Sequence, residues 1–186
     1  MKLSFFGADR CVTGSCHCLE VNGKKILVDC GLQQGRDEID NTSLPFAPNT
    51  IDVVLVTHAH IDHSGRVPLL VKEGFEGQIL TTRLTGNLMS IMLRDSAHIQ
   101  ESEAQWRSRK AERAGEPTVE PTYTMNDALA AIRLLRPVKY QERLRVAEGV
   151  ELRMTDIGHF TIPQFTSSKP LTVNSFSVSA FAIANS

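Results

Sequence analysis

The stretch His58-Ala59-His60-Ile61-Asp62-His63 decides how this chain is read, because it sets three imidazoles and one carboxylate within six residues. Imidazole nitrogen and carboxylate oxygen are ligand atoms that zinc and related divalent ions take. Upstream, Asp52-Val53-Val54-Leu55-Val56-Thr57 reads as a buried strand, and downstream Ser64 to Leu70 reads as a turn entering a helix. A polar cluster at the carboxyl end of a strand is where open α/β sheets place their chemistry. Residues two apart at a strand end point the same way, so the spacing lets His58 and His60 share one ion. Asp62 and His63 follow the turn and are placed to reach a second. Asp62 also lies near a predicted helix start, where the backbone dipole favours an anion. Two ions about 3.5–4 Å apart suit a bridging hydroxide, whose parent water has its pKa lowered to about 7 by the metal.

Working outward, 186 residues give room for one ordinary domain with a sizeable core. The formal net charge of −1 provides no chain-wide basic footprint for nucleic acid, although a local patch stays open. The four cysteines, at 11, 16, 18 and 30, all fall in the first thirty residues. The opening apolar run is too short for a secretory signal, and no segment has transmembrane length. Free thiols in a reducing cytoplasm are therefore expected, with no membrane partner. Cys16-His17-Cys18 alternates with apolar residues and reads as strand rather than as a soft metal site.

The first fifty residues read as short strands. Lys2 to Phe6 is one; Cys16 to Val21 and Lys25 to Asp29 are two more, joined by the hairpin signal Asn22-Gly23. Gln33 to Thr50, with two prolines, reads as loop. Val67 to Lys72 starts a helix that Gly74 stops, and Gln78 to Thr81 is a further strand. Leu84 to Arg113 is the longest helical stretch. Leu84, Leu88, Ile91, Met92 and Ile99 mark its apolar face, and the charged residues after Gln100 mark a solvated end. Thr124 caps a helix over Asn126 to Leu135, which Pro137 terminates. Val138 to Tyr140, Leu144 to Ala147 and Val150 to Thr155 follow as strands.

Thr57-His58-Ala59-His60-Ile61-Asp62-His63-Ser64-Gly65 resembles the signature of the metallo-β-lactamase fold. Val12 to His17, Ile26 to Gly31, Pro68-Leu69-Leu70 and Met92 to Ser96 resemble the amino-terminal part of one branch, the β-CASP ribonucleases. That branch includes ribonuclease J and the endonuclease of messenger-RNA 3′-end processing. The resemblance covers about residues 1 to 159. It implies an α/β fold, the amino-terminal half of an αββα sandwich, and a zinc-dependent hydrolase. It implies RNA as substrate, cleaved by attack of a metal-bound hydroxide on phosphorus. On the matching positions, His58, His60 and the Ile157-Gly158-His159 histidine would hold one zinc. Asp62, assigned the catalytic role, and His63 would hold the second, and Asp29 would buttress the metal loop. His17 and His98 are left outside the ligand set: His17 packs or supports a loop, and His98 is a surface or hydrogen-bonding residue.

The pattern stops after His159. Of 41 charged residues, 40 lie at or before that position, and 160–186 carries only Lys169. The chain is thus read as a partial domain over 1–159 followed by a low-charge tail over 160–186 that departs from the family. The tail reads either as the product of a shifted reading frame or as a short variant that adds a strand through Leu171, Val173, Phe176 and Val178. The sharp loss of charge favours the first. The family's metal-bridging aspartate, last histidine and inserted β-CASP domain have no counterpart here, so one zinc is expected to be held better than the other. Two rivals follow. One is an inactive fragment or pseudoenzyme that binds metal or a protein partner; the other is a thioester or lactam hydrolase of the same fold. Half a sandwich should also leave an apolar sheet face and edge uncovered, predicting self-association or partner binding there.

Overall fold

A computed structural model describes residues 1–8, 11–35, 41–156 and 161–167. Among these residues, nine strands and four α-helices follow in the order β1 (Lys2–Gly7), β2 (Cys16–Val21), β3 (Lys24–Val28), β4 (Val53–Leu55), α1 (Ile61–Ser64), α2 (Val67–Lys72), β5 (Gln78–Thr82), α3 (Arg83–Ala114), α4 (Met125–Arg133), β6 (Leu135–Val138), β7 (Arg143–Ala147), β8 (Val150–Asp156) and β9 (Thr161–Ser167), with a 3-10 turn over Pro48–Thr50. The first six strands form one sheet in sequence order, and β7-β8-β9 form a second. Strands β1 to β3 are an antiparallel meander; β3 to β6 run parallel. Asn22 and Gly23 both have positive φ, the backbone that a two-residue hairpin with matching twist requires.

The inner parallel strands β3, β4 and β5 carry buried side chains on both faces, which is why Ile26-Leu27-Val28, Val53-Val54-Leu55 and Ile79-Leu80 read as short apolar runs. Leu27, Val54 and Ile79 point to one side, into a core shared with Leu69 and Leu70 of α2, Met89 and Leu93 of α3, and Ala128 and Ala131 of α4. Ile26, Val28, Leu55 and Leu80 point to the other side and meet Val150, Leu152 and Met154 of β8. Each of these β8 side chains contributes about 1.5–3 kcal/mol by burial. The layers are therefore helices, large sheet, small sheet. Thr124 and Asp127 close a reciprocal capping box at the start of α4.

Four expectations are corrected. The strand expected over 52–57 hydrogen-bonds as strand only over Val53–Leu55. The helix expected to reach Leu135 ends at Arg133, and the following strand starts at Leu135 rather than Val138. There Pro137 lies inside the edge strand β6, where a missing N–H is tolerated. The apolar face assigned to α3 is mostly the wrong one. The helix buries Met89, Leu93, Ala97, Ala104 and Ala111, whereas Leu84, Leu88, Ile91 and Ile99 are 73, 48, 68 and 48% exposed. Small alanines let the helix sit close to its neighbours, and a face holding three alanines is a weak signal against a face of Leu and Ile. Finally, the face that β7 and β8 turn outward is polar rather than apolar, because these strands alternate and direct Arg143, Arg145, Glu151 and Arg153 away from the core.

Within the segment read as a tail, β9 pairs antiparallel with all seven residues of β8. The Leu171 to Val178 stretch lies outside the described residues. No helix among those residues is long and apolar enough to cross a membrane.

Candidate metal centre

Beyond Leu55 the chain stays beside β5 for one more residue, Val56 donating to the Leu80 carbonyl at 2.9 Å. It then turns so that His60 caps α1, a single turn containing Asp62 and His63. His58 and His60 are thus not on a strand. They meet by loop geometry, with ring centroids 4.7 Å apart, while His58 and His63 are 3.9 Å apart. A one-turn helix also brings little dipole to Asp62, since the macrodipole is a sum over aligned peptides.

Backbone bonds from two other segments fix this turn. Ser15 donates to the Asp62 carbonyl, Cys30 to that of His63 and Leu32 to that of Ile61, all at 2.8–2.9 Å. Gly31 is required at its position, because a Cβ there would overlap the Asp62 carbonyl. Ser64 closes the turn from inside, its hydroxyl donating to the carbonyls of Ala59 and His60.

Asp29 is the hub beneath the cluster. It is fully buried, with φ of 60°, a left-handed backbone that Asp tolerates better than most residues. Its Oδ1 accepts the Thr57 N–H at 2.8 Å, and both its oxygens lie within 3.0 Å of the Thr57 hydroxyl. Its Oδ2 lies 2.7 Å from His63 Nδ1 and accepts the Ser15 hydroxyl at 3.3 Å. This arrangement places the His63 proton on Nδ1 and directs Nε2 away from the carboxylate. A carboxylate that fixes a histidine tautomer in this way is a usual support for a metal ligand. Thr57 Oγ1 makes a similar 3.0 Å contact to His58 Nδ1. Asp62 Oδ2 stands 3.6 Å from His63 Nε2.

The electrostatics separate the imidazoles. Burial, reinforced by the neighbouring His63, lowers the His58 pKa to about 4, so this ring is neutral at pH 7. Burial also opposes charge on His63, but the hydrogen bond and charge of Asp29 and the charge of Asp62 outweigh it and raise its pKa. Burial lowers the His17 pKa.

Among the described residues, no three or more His, Cys, Asp or Glu side chains stand grouped as they would to hold a metal ion. The donor chemistry nevertheless fits a divalent cation: three adjacent imidazoles, one carboxylate and a buried carboxylate behind them. His159 lies outside the described residues, so the structure does not place it.

Several supporting residues are not legible as such in the sequence. Thr57 and Ser15 bind Asp29, and Gly31 makes room for the loop. His17 is buried on β2, packs edge-on against Phe5, and reaches the hub through Ser15 at 3.4 Å. His98 is exposed on α3. A cleft of about 790 Å³ opens beside Ile61, between the strand-end loop and α3, lined in part by Gln33, Gln34, Asn41, Gln100 and Arg107.

Residues 9–140 match the metallo-beta-lactamase superfamily, and the chain belongs to it. Membership implies binding of a divalent metal. Ribonuclease TTHA0252 of Thermus thermophilus is 38% identical over 160 residues, covering 86% of this chain and 33% of that protein. Transcription termination factor FttA of Methanocaldococcus jannaschii is 27% identical over 162 residues, covering 86% and 23%. Endoribonuclease YSH1 of Gibberella zeae is 28% identical over 131 residues, covering 68% and 14%. The chain thus spans a third or less of the length of these relatives. Among solved structures, MEM-A1, a subclass B3 metallo-beta-lactamase from a soil metagenome library, superposes with a TM-score of 0.50 at 14% identity, over 90% of this chain and 56% of that one. That likeness concerns the fold.

Proposed function

We propose that this chain carries the metal-binding half of a β-CASP-type ribonuclease, a zinc-dependent phosphodiesterase acting on RNA. The observation that carries this reading is the Asp29 hub, which holds the Thr57 backbone and His63 Nδ1 directly below three adjacent imidazoles. The names of the relatives supply the substrate class. His58, His60 and His159 would hold one zinc; Asp62 and His63 would hold the second more weakly. Bound zinc would supply Lewis-acid activation of water and stabilise charge developing on phosphorus.

The chain's own residues set the rest. Asp29 keeps His63 in the Nδ1–H form, so that Nε2 presents its lone pair. Burial keeps His58 neutral and able to ligate at pH 7. Asp62, on the turn fixed by Ser15, orients water and accepts hydrogen bonds at the reacting centre. The cleft beside Ile61 would take a nucleotide strand along its amides, with Arg107 held by Glu103 at 3.6 Å and Asp95 also on its wall.

The test is cleavage of an end-labelled single-stranded RNA by the zinc-loaded chain, with the double variant His58→Ala, His60→Ala as reference. Zinc-dependent cleavage that the double variant loses is the expected result. Bound zinc without cleavage would overturn the catalytic reading and favour a metal-binding, non-catalytic role.

A further inference from the structure

The outward face of α3 is the strongest apolar feature that the metal centre does not use. At 100° per residue, Leu84, Leu88, Ile91, Ile99 and Trp106 fall within one narrow stripe, opposite the buried Met89, Leu93 and Ala97. Their exposures of 73, 48, 68, 48 and 61% amount to about three fully exposed large side chains. At roughly 200 Å² each, that is about 600 Å² per chain. This matches the upper end of the largest apolar patch found on ordinary monomers, about 300–600 Å².

The stripe is self-complementary. Asp95, exposed, lies at its centre. Ile91 and Ile99 stand four residues to either side, and Leu84 and Trp106 eleven residues to either side. Two such helices laid antiparallel across a two-fold axis at Asp95 bring Ile91 against Ile99 and Leu84 against Trp106, with Leu88 against the small Ser102. The stripe runs about 33 Å, and pairing it buries about 1,200 Å² in total, the lower bound of a specific interface. Lys110, over the Trp106 ring at 5.8 Å, and the Glu103–Arg107 pair provide a charged rim.

We propose that this face seats a second copy of the chain in an isologous, antiparallel α3–α3 pairing centred on Asp95. It replaces the self-association expected through an uncovered apolar sheet face, since β7 and β8 turn charged side chains outward. Asp95 and Ile99 also line the cleft beside Ile61, so the partner helix would roof part of it.

The test is mass in solution, by sedimentation or light scattering, in EDTA so that metal occupancy plays no part. The expected mass is twice the 20.6 kDa of the chain. The double variant Leu88→Lys, Ile91→Lys, with unchanged circular dichroism, is expected to be monomeric at concentrations where the parent is dimeric. Asp95→Leu removes the like charges that meet on the axis and is expected to tighten the dimer at least tenfold. A monomeric parent chain at 100 µM, about a hundredfold above a micromolar dissociation constant, would overturn the proposal and leave the stripe to a different polypeptide. A dimer that survives the lysine variant, or that Asp95→Leu weakens, would overturn it as well.

Discussion

Replacing Asp29 by Asn tests whether the buried carboxylate works through the His63 tautomer. The backbone change is small, because Asn also tolerates the left-handed φ of 60° found here. The amide oxygen can take over Oδ1 and keep the 2.8 Å bond from the Thr57 N–H. The amide nitrogen then stands where Oδ2 was, 2.7 Å from His63 Nδ1, and it donates instead of accepting. His63 must move its proton to Nε2, which removes the lone pair from the side on which metal would bind. Loss of a supporting carboxylate costs about 10–100-fold in metal affinity, or about 1.4–2.8 kcal/mol. The accompanying loss of folding stability, about 1.5–3 kcal/mol for a charge-assisted hydrogen bond, leaves the variant folded at low temperature. Zinc affinity would be measured by competition with a chromophoric chelator at 10 °C, and the tautomer by nitrogen chemical shifts of the imidazole. An Asn variant that is folded, carries the proton on Nε2 and still binds zinc within twofold of the parent would show that Asp29 does not act through the His63 tautomer.

Asp29→Ala, by contrast, leaves Thr57 and His63 without their buried partner and should cost about 3–5 kcal/mol in urea unfolding. Gly31→Ala drives a Cβ into the Asp62 carbonyl and should lower the thermal midpoint far more than Gly35→Ala, where positive φ is strained but the space is open. Thr124→Ala breaks the capping box of α4 and should cost about 1 kcal/mol, read in the same denaturant series. In EDTA, the unfolded chain takes up a proton at His58 near the ordinary imidazole pKa, whereas the folded chain does so only near 4. That stability is present above the ordinary value and lost as pH falls toward 4. His58→Gln should remove this part of the slope, and a slope that does not change would show that His58 is not held neutral.

The clustering of His58, His60 and His63 was the most legible feature because it is local: six residues after an apolar run suffice to bring three imidazoles together. The Asn22-Gly23 hairpin and the Thr124 cap were legible for the same reason, each being set by neighbours in sequence. The buried face of α3 was not, since Leu84, Leu88 and Ile91 form as good a periodic pattern as Met89, Leu93 and Ala97. Only the sheet and α4 decide which face is covered. The roles of Thr57, Ser15 and Gly31 also depend on partners 28, 14 and 31 positions away, and nothing in their identity announces those contacts. The small sheet hid its polarity because strand alternation shows that one face is polar without telling which face is uncovered.

Whether the loop after β4 is a metal centre can be seen by anomalous diffraction at the zinc edge from crystals of the zinc-loaded chain. A peak is expected within coordination distance of His58 and His60, with Asp62 and His63 Nε2 turned toward it or toward a second, weaker peak, and Asp29 still bonded to His63 Nδ1. Zinc bound instead at the Cys16 and Cys18 thiols or at His98, or no zinc at all near His58, would contradict it.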